Sequence, residues 1–187
     1  GIAGPVAAGV LVGEDASLTR STIAAVTGAG ETAGLAADGS ATMVNSTITG
    51  VTGWAAEVAG DLSLVYSTLV GNGDTPDAES CIASVCSLSA AAPDVHVLIA
   101  DSDVQVQVTG ALTMFASVIA QNRVGGPNCD AGSTASVGYN LADDTTCGLT
   151  GTGDRQVVGL DALLGPLAAN GGVAPTLLPL AGSPLLD

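Results

Sequence analysis

The sequence predicts an all-β fold: a right-handed parallel β-helix, a solenoid of stacked coils. Three observations carry this. "VNSTITGVTG" (44–53) is nearly a copy of "TRSTIAAVTG" (19–28). Apolar residues recur across such repeats in columns two residues apart, which is the period of a strand. Aromatic residues make up only 2% of the chain, and small or β-branched side chains of the kind that fit a narrow interior replace them.

The first coil begins within "GIAGPVAAGVLVG", which already alternates as a strand does. Its residues open four columns. Leu18, Met43, Leu64 and Met114 form the anchor column. Two residues earlier stand Ala16, Ala41, Leu62 and Leu112; six earlier, Val12, Ala37, Val58 and Val108; eight earlier, Val10, Leu35, Ala56 and Val106. Between the two strands so defined, Gly39, Gly60 and Gly110 share a column in which Glu14 is the exception. Glycine there predicts a tight bend at positive φ.

After the anchor the apolar phase changes. Ser21, Ser46, Ser67 and Ser117 come three residues on, and Ile23, Ile48, Leu69 and Ile119 five on. A strand cannot switch faces without a bend or bulge. A bend is therefore expected near Arg20, Asn45, Tyr66 and Ala116, followed by a third strand and a further corner near Gly28, Gly53, Gly73 and Gly125. Each repeat thus holds three short strands with one apolar face apiece. One repeat cannot bury such a face, whereas stacked repeats can, with strands about 4.8 Å apart. The right hand is the default for parallel connections. A β-sandwich would instead favour Asn-Gly or Asp-Gly hairpins at shorter spacing.

Residues 71–93 lack the column pattern and read as an inserted, protruding loop, leaving open whether the gap between Leu64 and Met114 holds one coil or two. "DVHVLIADSDVQVQV" (94–108) returns to strand composition. The organisation expected is one domain over 1–187: repeat coils over 1–127 with the 71–93 insertion, then a C-terminal coil and irregular capping segment over 128–187. "LDALLGPL" (160–167) reads as an apolar turn or helical cap, and "PTLLPLAGSPLLD", with its prolines, as an extended stretch along a face or across the last coil.

Net charge is −15 and lysine is absent, leaving Arg20, Arg123, Arg155 and His96 as the cationic side chains. Nucleic-acid binding needs a basic footprint, so that class is excluded. No apolar run reaches the ~18 residues of a membrane span, so membrane insertion is not expected. The cysteines form two local pairs in loop-like sequence, Cys81/Cys86 and Cys129/Cys147, and two disulfides are expected. Their spacing does not suit zinc. Disulfides imply an oxidising, extracytoplasmic setting.

Candidate chemistry is sparse. Asp143, Asp144 and Asp154 are candidate calcium ligands, and calcium is the one cofactor left open. Asp94, Asp101 and Asp103, with Arg123, are the residues a sugar-cleaving site would draw on, whereas His96, alone in a strand, reads as a packed or edge histidine. Without a defined separation they read more simply as a solvated edge. The serine column has no partnering base and is read as structural. Thr22, Thr47 and Thr68 face outward and, with Trp54, are candidate surface contacts for ice, mineral or carbohydrate.

The stretches "SVGYNLADDTTCGL", "LDALLGPLAANGG" and "LLPLAGSPLLD", with Asn128–Cys129 and the repeats "NSTITG" and "YSTLVGN", resemble secreted bacterial parallel β-helix proteins of the choice-of-anchor Q type. The resemblance covers most of the chain. It implies a right-handed β-helix, secreted or displayed on the bacterial surface, and it brings no catalytic residues. Such chains continue past the position of Asp187, which suggests a fragment or processed form. The expected function is non-enzymatic: an extracellular structural or adhesive scaffold that self-associates through coil ends or faces, as in a filament, or binds other surface proteins. The alternatives are a carbohydrate-binding or polysaccharide-cleaving β-helix and an ice- or mineral-binding solenoid.

Overall fold

A computed structural model describes residues 7–28, 32–72, 81–83, 85–89, 97–100, 106–120 and 127–186, with backbone alone over 81–111. Each of the first four coils contributes three strands: β1 (Ala7–Val12), β2 (Ala16–Thr19) and β3 (Thr22–Ala24); β4 (Thr32–Ala37), β5 (Ala41–Val44) and β6 (Thr47–Thr49); β7 (Trp54–Val58), β8 (Asp61–Val65) and β9 (Thr68–Val70); β10 (Cys81–Ala83), β11 (Val85–Ser89) and β12 (Val97–Ala100). Further on, β13 (Val106–Phe115) and β15 (Cys129–Gly138) run through the first corner as single long strands, followed by β14 (Ser117–Ala120) and β16 (Leu141–Ala142). The short β17 (Arg155–Gln156) comes last.

All pairings between named strands are parallel and join equivalent strands of successive coils. One ladder runs β1-β4-β7-β10-β13 and a second runs β2-β5-β8-β11-β13, so β13 unites them in one sheet, with β15 on its far edge. The third ladder is a separate sheet, β3-β6-β9-β12-β14-β16-β17. The molecule is a parallel β-solenoid, as the column pattern predicts. Leu18, Met43 and Leu64 are in register, and the row continues through Leu88 to Met114. Met43, Leu64, Met114, Ile48, Leu69 and Ile119 are fully buried in rows through the interior.

The inserted loop expected over 71–93 is corrected within its span. Residues 81–83 and 85–89 are strands in register with β7 and β8, so the gap from Leu64 to Met114 holds two coils. Cysteine and alanine hide this coil, because Cys81 and Cys86 occupy the registers of Ala56 and Leu62. Its first corner is also one residue shorter: Ala83 precedes Cys86 by three positions where Val58 precedes Leu62 by four. The Cys81–Cys86 disulfide expected above lies outside the described side chains.

The bend before the third strand falls where the phase change predicts it. Arg20, Asn45, Tyr66, Ala116 and Tyr139 all have φ between 46° and 58°. None is glycine, and left-handed backbone costs such residues about 1–2 kcal/mol each. Fully burying a Leu, Met or Ile side chain contributes about 1.5–3 kcal/mol, so the apolar rows that each bend aligns exceed the strain. A serine ladder fixes the geometry. The Oγ atoms of Ser21, Ser46, Ser67 and Ser117 donate to the carbonyls of Thr19, Val44, Val65 and Phe115 at 2.8–3.0 Å, each closing its own bend. The same oxygens accept from the coil before: Ser21 N–H donates to Ser46 Oγ at 3.2 Å and Ser46 N–H to Ser67 Oγ at 3.4 Å.

The glycine column is corrected in its cause. Gly39 and Gly60 do not have positive φ. They are required because coils approach closely there: a Cβ on Gly60 would lie 2.8 Å from the Gly39 carbonyl oxygen and from Ser40 Oγ. The second left-handed column instead comprises Ala25, Gly50 and Gly71, so the last corner sits before Gly28 and Gly53 rather than on them. Gly73 and Gly125 lie outside the described residues.

Two stability predictions follow the ladder and the glycine column. Ser67→Ala strands the Ser46 N–H and leaves the Val65 carbonyl with the Asn45 N–H alone, and is expected to destabilise by about 1–3 kcal/mol in denaturant titrations, whereas Ser17→Ala on the exposed face stays within about 0.5 kcal/mol. Gly60→Ala is expected to lower the midpoint by separating coils. Gly13→Ala meets nothing within 4 Å and is expected to be neutral or stabilising by up to about 1 kcal/mol.

Candidate functional site

The candidate calcium ligands Asp143, Asp144 and Asp154 lie with the Cys129/Cys147 pair at the C-terminal end of the solenoid. The last long strand, β15, would present an open edge. Residues 143–154 fold against it instead. Cys129 at the start of β15 is bonded to Cys147, and both sulfurs are buried with Leu149 in the main apolar core. A loop of mostly polar sequence therefore delivers a disulfide and a leucine to the mouth of the coil interior. The Cys129/Cys147 pair is the disulfide the spacing suggested.

Two hydrogen-bonded knots hold this cover. At the first, Asp144 accepts from Asn128 N–H at 2.8 Å, from Thr146 N–H at 2.9 Å and from the Thr146 hydroxyl. Thr146 Oγ1 in turn accepts from Cys129 N–H at 3.0 Å. Buried Asn128 donates through Nδ2 to the Ile119 carbonyl and to Asp143 Oδ1. At the second knot, Asp154 accepts from the Ser136 hydroxyl, from Gly151 N–H at 2.5 Å, and from Asn140 N–H and Nδ2 at 2.9 and 3.0 Å. Asn140 Oδ1 accepts from Ser117 N–H at 3.0 Å, so an asparagine continues the serine ladder and ties it to the cover. Partial burial pushes the Asp154 carboxyl upward, but the bonds from Ser136, Asn140 and Gly151 outweigh it and hold the group below the ordinary aspartate value.

The three candidate calcium ligands are thus used as hydrogen-bond acceptors in two knots. Among the described residues no group of three metal-ligating side chains comes together. The sequence flags these aspartates for metal because loop carboxylates suit either role. Asn128 and Asn140, which organise both knots, are missed as polar anchors; the only signal for them is their place after an apolar row, which Asn72 shares. Asn72 is buried at the end of the third coil, donating to the Ile48 carbonyl and accepting from Val51 N–H.

The outward threonine column is corrected. Thr22 is exposed, but Thr47 and Thr68 are buried, and so is Val118 in the same row. The cause is the C-terminal strap, residues 160–186, which lies over the third ladder. Thr47 Oγ1 donates to the Pro175 carbonyl at 2.7 Å. Val70, Val118, Ala120 and Leu141 form a second apolar cluster with Ala162, flanked by Leu164, Leu167, Leu177 and Leu185 of the strap. The strap pairs with itself in antiparallel fashion, Ala168 with Thr176 and Leu164 with Pro179. It contains no helix, and "LDALLGPL" turns at Leu163 with φ of 48°. Among the described residues of this threonine row, Thr22 alone presents its side chain to solvent.

Trp54 begins β7 half-buried, and its Nε1 has no hydrogen-bond partner among the described residues. Asp94, His96, Asp101, Asp103 and Arg123 lie outside the described residues. Among those described, no helix is long and apolar enough to cross a membrane. Fold and site together define a parallel β-solenoid whose C-terminal end is sealed by a disulfide-anchored loop and whose third face is strapped. No family model, curated protein or solved structure matches the chain.

The Asp154 knot sets an acid response. Because the folded carboxyl titrates below the unfolded one, its stabilisation is complete above the unfolded value of about 4 and is lost as pH falls through the lower folded value. Hydrogen exchange at the Gly151 and Asn140 amides is expected to accelerate across that acidic window in the native chain. Asp154→Asn is expected to remove the pH dependence and to show faster exchange at neutral pH.

Proposed function

We propose that the chain is a non-enzymatic structural or adhesive scaffold of the extracellular space or cell surface, which works by holding a rigid shape and associating with its own kind. The observation that carries this reading is where the polar groups go. Ser21, Ser46, Ser67 and Ser117 close bends, Asn72, Asn128 and Asn140 satisfy buried backbone, and Asp144 and Asp154 tie the cover down. These groups serve to fix one shape. The Cys129–Cys147 bond supports an oxidising location, because cytoplasmic reductants remove such bridges. The net charge of −15 and the absence of lysine support a soluble surface with little attraction for phosphate.

The reading is tested on material from its natural source. Surface labelling of intact cells is expected to reach the chain, and thiol-reactive mass tagging is expected to find Cys129 and Cys147 oxidised. Recovery of the chain from the cytoplasm with both thiols free would overturn the proposal. So would turnover of a polysaccharide by the purified chain.

A further inference from the structure

We propose that Asn45 is an N-glycosylation site, joined to an oligosaccharide before the C-terminal strap closes over the third ladder. The inference rests on the extracellular scaffold reading and adds to it a covalent modification of defined chemistry.

Of the six asparagines, Asn45 alone opens an Asn-x-Ser/Thr triplet, as Asn45-Ser46-Thr47. That triplet is the acceptor for N-linked transfer. The structure adds a second observation, namely what each asparagine does. Asn72, Asn128 and Asn140 are buried and donate through Nδ2 to backbone carbonyls, and Asn170 donates to the Thr176 carbonyl at 2.7 Å. Asn122 lies outside the described residues. Asn45 is half-buried and its backbone N–H donates to the Val65 carbonyl, but its carboxamide has no partner among the described residues and is open to water. The bend does not demand asparagine either. Arg20, Tyr66, Ala116 and Tyr139 hold the same left-handed backbone at the equivalent place. Arg20 and Tyr139 are exposed there, so the slot opens outward and takes side chains of unlike size. A glycan on Asn45 leaves the coil between the bends at Arg20 and Tyr66.

The donor is an oligosaccharide linked through phosphate to a polyprenyl lipid, and a membrane transferase brings the two together. Asn45 Nδ2 attacks the anomeric carbon. The nitrogen–carbon bond forms, and the carbon–oxygen bond to phosphate breaks with its electron pair. The polyprenyl phosphate leaves, and the amide proton passes to a base of the transferase.

The fold sets the order of events. A transferase that reads the triplet must reach the hydroxyl of its third residue. In the closed molecule Thr47 is buried and its Oγ1 donates to the Pro175 carbonyl at 2.7 Å. Ser46 is buried beside it, with its own hydroxyl closing the bend. The folded chain therefore cannot present the triplet. Pro175 lies 128 residues after Thr47, so a chain exported from its N-terminal side offers the triplet well before the strap follows to mask it.

The test is intact mass and glycopeptide mapping of the chain from its natural source. A mass excess confined to the peptide that carries Asn45 is expected, lost on treatment with a peptide N-glycosidase. Asn45→Gln and Thr47→Ala are each expected to abolish the excess, and Thr47→Ser to retain it. In a reaction with purified transferase and lipid-linked oligosaccharide, the folded, unmodified chain is expected to be a poor acceptor. Ala162 is buried under the strap, and Ala162→Asp is expected to loosen that contact and raise acceptance several-fold. Equal acceptance by the two chains overturns the order of events. An unmodified Asn45 in a chain that is oxidised and surface-exposed overturns the proposal and leaves the scaffold reading standing. A cytoplasmic chain with free thiols overturns both, so the two failures are distinguishable.

Discussion

At Arg20, Asn45, Tyr66 and Ala116 the coil turns between its second and third strands through one left-handed, non-glycine residue that a serine hydroxyl locks in place. The rest of the molecule depends on this bend. It switches the apolar phase from the Leu18 row to the Ile23 row, so that both rows face one interior. At Ser46 and Ser67 the same hydroxyl that closes the bend receives the amide of the coil before. Vertical spacing and local turn geometry are therefore set by one atom, and a coil that loses register loses both.

Why strained backbone is kept where glycine would relax it follows from the neighbours. Arg20, Asn45, Tyr66 and Ala116 each precede a serine whose hydroxyl donates two residues back, and the amides of Arg20, Asn45 and Ala116 donate to the next coil at 3.0 Å. The turn is over-determined from both sides, the condition under which strain persists. Glycine is reserved for crowding instead, at Gly39 and Gly60, where no Cβ fits between coils.

The solenoid and its registers were legible because Leu18, Met43 and Leu64 repeat a size and a position, and the bends because the apolar phase changes after each. The fourth coil was not, since Cys81, Ala83 and Cys86 stand at the registers of Ala56, Val108 and Leu62 and its corner is one residue short. The cover was half legible: the cysteine pair marked it, but Asp154 and Asp144 look alike whether they bind metal or amides. The strap's effect on Thr47 and Thr68 was illegible. Outward threonines read as a surface in any single-coil pattern, and only the distant Pro175 shows that the face is occupied. Tertiary cover from another part of the chain leaves no local mark.

The account stands on registration between coils, and engineered cross-links test it most directly. Thr42 and Ser63 are paired across β5 and β8 on the outward side. In-register parallel strands lie about 4.8 Å apart, within the roughly 4.4–6.8 Å Cα separation a disulfide spans. Thr42→Cys with Ser63→Cys is expected to form a bridge on mild oxidation, mapped by peptide mass, while Thr42→Cys with Leu62→Cys, one position out and on the opposite face, is expected to stay reduced. Efficient bridging of the second pair with none in the first would contradict the stacked arrangement.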